Sequence, residues 1–209
     1  MAAINKLMVA IPTLDYMHNR FVESLVNLER HLCEIGIEHD ICFQRGTLVY
    51  IGRDKLVKKA VDEEYSHVLW LDADMVFEPD VIDILMETDS RMTCGLFRGR
   101  HDKKSVCLYS SINPCVRYEA IDSNPELLND ILEVDACGFG CVLTEVELLK
   151  QVFNKNDFTC FMPTRLLGED LAFCERVKEL GETIYCNPKA VVGHIGNAII
   201  KSDRTVEWL

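Results

Sequence analysis

The chain has 209 residues, of which 48% are hydrophobic and 27% charged; this is typical of a globular protein with its own core and excludes a disordered chain. Its 22 basic and 34 acidic residues give a formal charge of −12. An acidic surface repels phosphate backbones, so we expect no nucleic-acid partner and favour a carboxylate-rich site that binds divalent cations.

The sequence shows no membrane signal. No apolar stretch is long enough to span a bilayer, and the N-terminal residues contain no recognisable signal-peptide cleavage site, which predicts a cytoplasmic protein without a transmembrane segment. The ten cysteines include no CxxC pair, so a zinc site is not favoured. Most lie within apolar runs, and we expect reduced cysteines that serve as small core residues.

Strand and helix patterns alternate along the chain. Leu7 to Ile11 predicts a buried strand, and apolar residues at helical spacing between Phe21 and Ile35 predict a helix closed by Gly36. The later patterns predict, in order, a strand over 37–43, a helix from about 52, a strand over 68–71 and a helix with Pro79 in its first turn. They then predict a strand over 105–110, a helix behind a Thr144-x-x-Glu147 capping box, a helix over 171–180 closed by Gly181, and a strand over 183–186. This alternation predicts one α/β domain over residues 1–209 with a mostly parallel sheet.

Two carboxylates, Asp72 and Asp74, follow the apolar run Val68 to Leu71. In α/β sheets ligands bind beyond the carboxyl ends of the strands, and side chains at i and i+2 point the same way while the chain is extended. Two carboxylates this close repel each other unless a cation lies beside them, and oxygen ligands select Mg²⁺ or Mn²⁺. The alternative is a helix-start turn in which Asp74 acts as a cap.

Two further groups are candidates for chemistry. Glu169 and Asp170 precede a helix. Asp170 is either a cap or a charge that favours the positive dipole end of that helix, or it is a general base that deprotonates a hydroxyl. His194, between two glycines, is either a core histidine or a metal ligand if the fold returns it to the two aspartates.

Two segments could approach a ligand. The glycines of Gly138-Phe139-Gly140 permit close backbone approach, although a bulged strand explains them equally well. Arg53 and Lys55 stand at a predicted helix start and could bind a diphosphate, although a solvated helix start explains them nearly as well.

Taken in order, these motifs resemble glycosyltransferases of the GT-A fold, which bind nucleotide-diphospho-sugars. The resemblance runs through Ile11-Pro12-Thr13, Gly52 to Val57, Leu69 to Met75, Gly138 to Gly140, Gly168 to Cys174 and Gly193 to Gly196, and covers nearly the whole chain. Within the family, the set is similar to the N-terminal glycosyltransferase domain of a chlorella-virus enzyme that glycosylates capsid protein, which would imply a viral protein in the host cytoplasm.

The resemblance implies a role for each motif. Asp74 and His194 would bind Mn²⁺ or Mg²⁺, with Asp72 holding the ribose or assisting the metal. Thr13 and Arg53 would lie beside the nucleotide, and Gly138, Phe139 and Gly140 would border the sugar. Glu169 or Asp170 would face the reacting centre. The implied activity is metal-dependent transfer of a hexose or deoxyhexose, of glucose or rhamnose type, from a UDP-linked donor to a glycan or glycoprotein acceptor.

The chain departs from the family pattern in two places. Asp54 stands where asparagine is common, which would put a carboxylate near the expected phosphates and weakens the assignment of Arg53 to the diphosphate. The chain is also short, without an obvious acceptor-binding extension, so it could be one domain of a larger enzyme.

Two other functions fit parts of the sequence. Asp72-x-Asp74-x-Val76 satisfies the motif of haloacid-dehalogenase-type phosphatases, in which Asp72 would be a nucleophile and Asp74 an acid or base. Against it, the motif comes after two strand–helix units instead of opening the chain. The other possibility is a non-catalytic module that binds nucleotide sugars without transferring them.

Overall fold

A computed structural model describes residues 3–46, 48–99, 105–119, 129–196, 198–200 and 206–208. In this part of the chain the helices are α1 (Asn19–Glu34), α2 (Val49–Asp62), α3 (Val81–Met86), α4 (Val146–Lys155) and α5 (Glu169–Lys178). The strands are β1 (Leu7–Thr13), β2 (His39–Arg45), β3 (His67–Leu71), β4 (Met75–Val76), β5 (Met92–Leu96), β6 (Ser105–Ser111), β7 (Val116–Glu119), β8 (Leu132–Val134), β9 (Ala136–Cys137), β10 (Cys141–Glu145), β11 (Ile184–Val191), β12 (Gly193–Ile195), β13 (Ala198–Ile200) and β14 (Val206–Trp208). None of the described helices is long and apolar enough to cross a membrane.

The central sheet has seven strands in the order β2-β1-β3-β10-β5-β11-β8. β1, β2 and β3 are parallel, β10 is antiparallel to both β3 and β5, and β11 is parallel to β5, so five of the seven strands share one direction. The predicted α/β architecture with a mostly parallel sheet is confirmed.

Alternate residues of β1 face two separate cores, one on each side of the sheet. Leu7, Val9 and Ile11 pack with the apolar stripes of α1 and α3, whereas Met8 and Ala10 pack with those of α2, α4 and α5. This follows from the two-residue period of a strand and gives a three-layer α/β/α arrangement.

Two smaller antiparallel sheets flank the central one. β14, β13, β12 and β4 form a four-stranded sheet, and β7, β6 and β9 form a three-stranded sheet. The pairing of β12 with β4 is the contact that later brings a histidine to the aspartate motif.

Three local predictions were wrong. The helix expected from about residue 52 begins three residues earlier, at Val49, so Gly52 lies inside it. Thr144 does not cap α4: it lies in β10, where its hydroxyl accepts from the indole N–H of Trp70, 3.0 Å away, and α4 begins after Glu145 without a side-chain cap. Asp74 caps no helix either, because the N-cap residue of α3 is Asp80.

The ten cysteines are all free, as expected, but they are not all in the core. Six are buried, whereas Cys33 and Cys115 are exposed. Neighbouring apolar residues in the sequence therefore do not guarantee that a cysteine is buried. Cys33, for example, lies on the outer side of the amphipathic helix α1.

Candidate active site

A cavity of about 490 Å³ opens at the carboxyl ends of β1, β2 and β3. The chain goes from β1 to β2 on one side and then crosses to β3 on the other, and ligands in α/β folds bind at such a switch point. Seven of the ten residues predicted for the site line this cavity: Thr13, Arg53, Asp72, Asp74, Glu169, Asp170 and His194.

One wall of the cavity is built around Arg53, whose side chain is only 2% exposed. Its guanidinium donates to Asp72 Oδ1 at 2.8 Å and to Asp170 Oδ1, and Glu169 Oε1 lies 3.5 Å away. We call these four residues the arginine wall. Because α2, the end of β3 and the start of α5 each contribute to it, the wall ties together three elements that are far apart in sequence.

Aromatic side chains pack against the guanidinium of the arginine wall. The guanidinium lies 5.1 Å from the ring centre of Phe139 and 5.6 Å from that of Phe161, and these rings pack edge to face on each other. Burial alone would lower the pKa of Arg53, but the three carboxylates outweigh it and raise the pKa, so the side chain stays charged. Burial raises the pKa of Asp72, and Arg53 opposes that effect.

The second half of the cavity contains Asp74 and His194. β12 pairs with β4 so that His194 is opposite Met75, the residue after Asp74, and the Ile195 amide donates to the Asp74 carbonyl at 2.8 Å. His194 Nε2 consequently lies 3.3 Å from Asp74 Oδ2. The structure thus brings together an imidazole and a carboxylate that are 120 residues apart.

These two donor atoms fit a divalent cation. His194 Nδ1 is 3.0 Å from the Arg98 carbonyl oxygen, which can only accept, so Nδ1 carries a proton and Nε2 is the ring nitrogen on the Asp74 side. Two neighbouring ligands of an octahedral ion, each about 2.1 Å from it, are about 3 Å apart, close to the observed 3.3 Å. Among the described residues, Asp72 does not complete a three-ligand cluster with these two, and its Oδ1 accepts from Arg53.

Gly138, Phe139 and Gly140 do not line the cavity. A Cβ on Gly140 would lie 2.6 Å from Met75 Cε, and one on Gly138 would lie 2.9 Å from the Phe97 ring, so both glycines pack closely against core side chains. Phe139 is buried, and its backbone N–H donates to Asp170 Oδ2 at 3.3 Å. The segment therefore supports the site from behind, and its role beside a sugar stays a prediction.

Asp170 does not cap α5, although it lies in the first turn of that helix, at the positive end of its dipole. The N-cap residue of α5 is Gly168, and no side-chain cap bond is present. Asp170 instead points across to Arg53 and to the Phe139 amide.

Asp54 does not face the expected phosphate position. Its Oδ1 accepts from the backbone N–H groups of Cys160 at 2.7 Å and Phe161 at 2.9 Å, on the side of α2 away from the cavity. Burial raises the pKa of Asp54, although those two amides and Arg176 act against it. The departure from the family pattern at this position therefore serves packing.

Sequence reasoning missed the apolar rim of the cavity. Leu14, Tyr16 and Leu48 line it, and their side chains are 61%, 92% and 50% exposed. Thr13, which was predicted, is the last residue of β1 and stands between this rim and the sheet. A cluster of exposed apolar residues in loops gives no periodic signal, so only the fold reveals it.

Solved structures with a similar fold include several glycosyltransferases. A197 from STIV aligns over 98% of this chain and 94% of its own, with 17% identity and a TM-score of 0.67. The catalytic domain of Drosophila beta1,4galactosyltransferase 7, in complex with xylobiose, aligns over 99% of this chain and 71% of its own, with 15% identity and a TM-score of 0.56. GalNAc-T7 with UDP, GalNAc and Mn²⁺ aligns over 93% of this chain, which corresponds to 44% of that enzyme, with 14% identity and a TM-score of 0.59.

No protein-family model and no curated sequence matches the chain. At these identities the structural likeness shows the fold: the chain has the GT-A architecture of these transferases.

Proposed function

We propose that this GT-A chain is a metal-dependent glycosyltransferase that transfers a hexose or deoxyhexose from a nucleotide-diphosphate sugar to a glycan or glycoprotein. The observation that carries the proposal is the Asp74–His194 pair, with donor atoms 3.3 Å apart at a cavity whose other wall presents Glu169 and Asp170. The similar structures solved with Mn²⁺ and nucleotide ligands, among them the galactosyltransferase with manganese, UDP-Gal and xylobiose, add support.

The charge of the cavity explains why a cation is needed. Asp72, Asp74, Glu169 and Asp170 carry four negative charges against one positive charge on Arg53, a formal sum of −3. A diphosphate would be repelled from such a cavity unless a divalent cation lay between it and the carboxylates. Asp74 and His194 would bind that cation, Mn²⁺ or Mg²⁺, which when bound acts as a Lewis acid on the diphosphate leaving group.

The cavity also has features suited to the rest of a donor. α2 begins at Val49, which lines the cavity, and it has no side-chain cap. Its first N–H groups and the positive end of its dipole therefore favour an anion in the cavity. The apolar rim of Leu14, Tyr16 and Leu48 offers a surface for a nucleobase, with Thr13 beside it. We propose that the donor is a UDP-linked sugar of glucose or rhamnose type, with uracil as its base.

Glu169 and Asp170 would act at the sugar. Carboxylates on this side stabilise the positive charge that develops at the anomeric carbon, and Arg53 and the Phe139 amide hold Asp170 in place. If the reaction inverts the anomeric centre, Asp170 would take the proton of the acceptor hydroxyl; if it retains configuration, Asp170 would position sugar hydroxyls. By the family resemblance, the acceptor would be a glycoprotein of the type that viral capsid-glycosylating enzymes modify.

The two other functions are less well supported. In a phosphatase, Asp72 would attack phosphate, but the motif follows two strand–helix units and the chain has the GT-A architecture. A non-catalytic binding module would have the same site, and the variant Asp170→Asn distinguishes it from an enzyme. In an enzyme, the variant loses sugar transfer but keeps donor binding. A binding module shows no transfer with or without the substitution.

The first test is binding of UDP-, GDP-, CDP- and dTDP-sugars by calorimetry, with Mn²⁺ and with a chelator. We expect one nucleotide class to bind only with Mn²⁺, and Asp74→Ala to abolish that binding. The matched control is Asp62→Ala, which removes an exposed carboxylate paired with Lys58 on α2, and should bind normally. Binding that ignores both Mn²⁺ and Asp74 would overturn the proposal.

A further inference from the structure

A second group of metal-type ligands lies at the opposite edge of the sheet. Among the described residues, Glu29, Cys33 and His39 form the cluster in which three such ligand atoms all lie within 4.8 Å of one another. Glu29 and Cys33 are one turn apart on α1, and His39 is the first residue of β2. His39 is about 16 Å along β2 from Gln44, which lines the cavity, so one ion could not serve both places.

The donor atoms are arranged as a cation would need them. Cys33 Sγ is 3.5 Å from Glu29 Oε1, and His39 Nε2 is 4.0 Å from that same oxygen. Ligand atoms around a tetrahedral zinc ion, with Zn–S of about 2.3 Å and Zn–N or Zn–O of about 2.0 Å, are about 3.3–3.6 Å apart. Small side-chain rotations would therefore bring all three onto one ion.

The histidine is held in the tautomer that can bind a metal. His39 Nδ1 lies 2.8 Å from the Ile37 carbonyl oxygen, which can only accept a hydrogen bond, so Nδ1 carries the proton. Its Nε2 lone pair then faces Glu29. A backbone carbonyl that orients the ring in this way is the usual partner of a metal-binding histidine, and the His39 side chain is only 10% exposed.

We propose that Glu29, Cys33 and His39 bind Zn²⁺, with water in the fourth position. A thiolate, an imidazole and a carboxylate suit zinc, whereas Mg²⁺ and Mn²⁺ prefer sets of oxygen ligands. The thiolate and the carboxylate neutralise the ion. The bound ion joins α1 to β2 across the turn over 35–38 and stabilises the first helix–strand unit of the fold.

The test uses Co²⁺ as a spectroscopic substitute for zinc on the full chain. We expect a thiolate-to-cobalt charge-transfer absorption that is displaced by stoichiometric Zn²⁺, and a melting temperature that rises with Zn²⁺ concentration. Cys33→Ser should abolish the absorption and the Zn²⁺-dependent rise, and Glu29→Gln should weaken binding by more than about 10-fold. The matched control is Cys115→Ser, which removes the other exposed thiol and should behave as the unmodified chain.

Two results would overturn the proposal. One is the absence of a charge-transfer absorption with Co²⁺, since the candidate active-site ligands include no thiol and cannot produce it. The other is an absorption of the same strength in Cys33→Ser and Cys115→Ser. Neither result bears on the glycosyltransferase proposal, which is tested by Mn²⁺-dependent donor binding.

Discussion

Asp72 and Asp74 are two residues apart, yet their surroundings differ. Asp72 belongs to the arginine wall, where a guanidinium that is 2% exposed holds its carboxylate. Asp74 lies beyond the end of the central sheet, next to a histidine delivered by the four-stranded sheet. Asp72 is thereby held in place by Arg53, whereas Asp74 lies beside an imidazole with which it could bind one ion.

Two acidic residues of one short motif, Asp72 and Asp74, can therefore have different roles. A buried ion pair is expensive to break, because removing one partner leaves a charge without compensation in a medium of low polarity. The contact between Asp74 and His194 is longer, at 3.3 Å, and neither side chain is fully buried, so an ion can enter between the two. Substitutions of Arg53, Asp72, Asp74 and His194 test this division.

The largest effect is expected for Arg53→Met. The arginine wall would retain three carboxylates without their cation, and we expect unfolding free energy to fall by about 3–5 kcal/mol. Urea unfolding measures this. The matched control is Arg45→Met, which breaks an exposed pair with Asp15 and should cost no more than about 1 kcal/mol. Equal costs at the two sites would contradict the structural role of Arg53.

Asp74→Asn should affect activity and leave stability nearly unchanged. The amide keeps the size of the side chain but is a poor cation ligand, so we expect kcat/KM for sugar transfer to fall by at least about 100-fold. Asp72→Asn should instead lower the melting temperature, because it weakens the pairing with Arg53. If both variants lost stability to the same degree, the structural role assigned to Asp72 and the metal-binding role assigned to Asp74 would not be distinct.

His194→Gln should weaken Mn²⁺ binding by about 10- to 100-fold, because water can replace one nitrogen ligand while Asp74 remains. Mn²⁺ titration followed by electron paramagnetic resonance measures the change. A melting curve run in parallel shows whether the fold is intact. Unchanged Mn²⁺ affinity in a folded variant would exclude His194 as a ligand.

The smallest effect is expected for Asp54→Asn. Its amide oxygen can still accept from the Cys160 and Phe161 N–H groups, so the loss should be about 1 kcal/mol of unfolding free energy. Because the side chain points away from the cavity, donor affinity should not change. Altered donor affinity in calorimetry would show that Asp54 acts at the phosphates after all.

Much of the site followed from the sequence because strand ends are predictable. The apolar run before Asp72 marks β3, and ligands bind beyond the carboxyl ends of such strands, which placed Asp72 and Asp74 at the site. Thr13 was implied only by the family resemblance, and it lies at the carboxyl end of β1 in the same cavity. The sequence pattern did not support the proposed zinc site, because Glu29 and Cys33 are a helical pair without a CxxC spacing and their histidine partner comes from the next strand.

The sequence determined the alternating helices and strands, the two-faced burial of β1 and the position of the acidic motif, because these depend on local periodicity and on where an apolar run ends. Only the tertiary structure decided that Arg53 is a buried partner of Asp72 and Asp170, and that His194 reaches Asp74. Those contacts join segments 19 to 120 residues apart. Sheet pairing and layer packing create such contacts, and no local pattern in the chain records them.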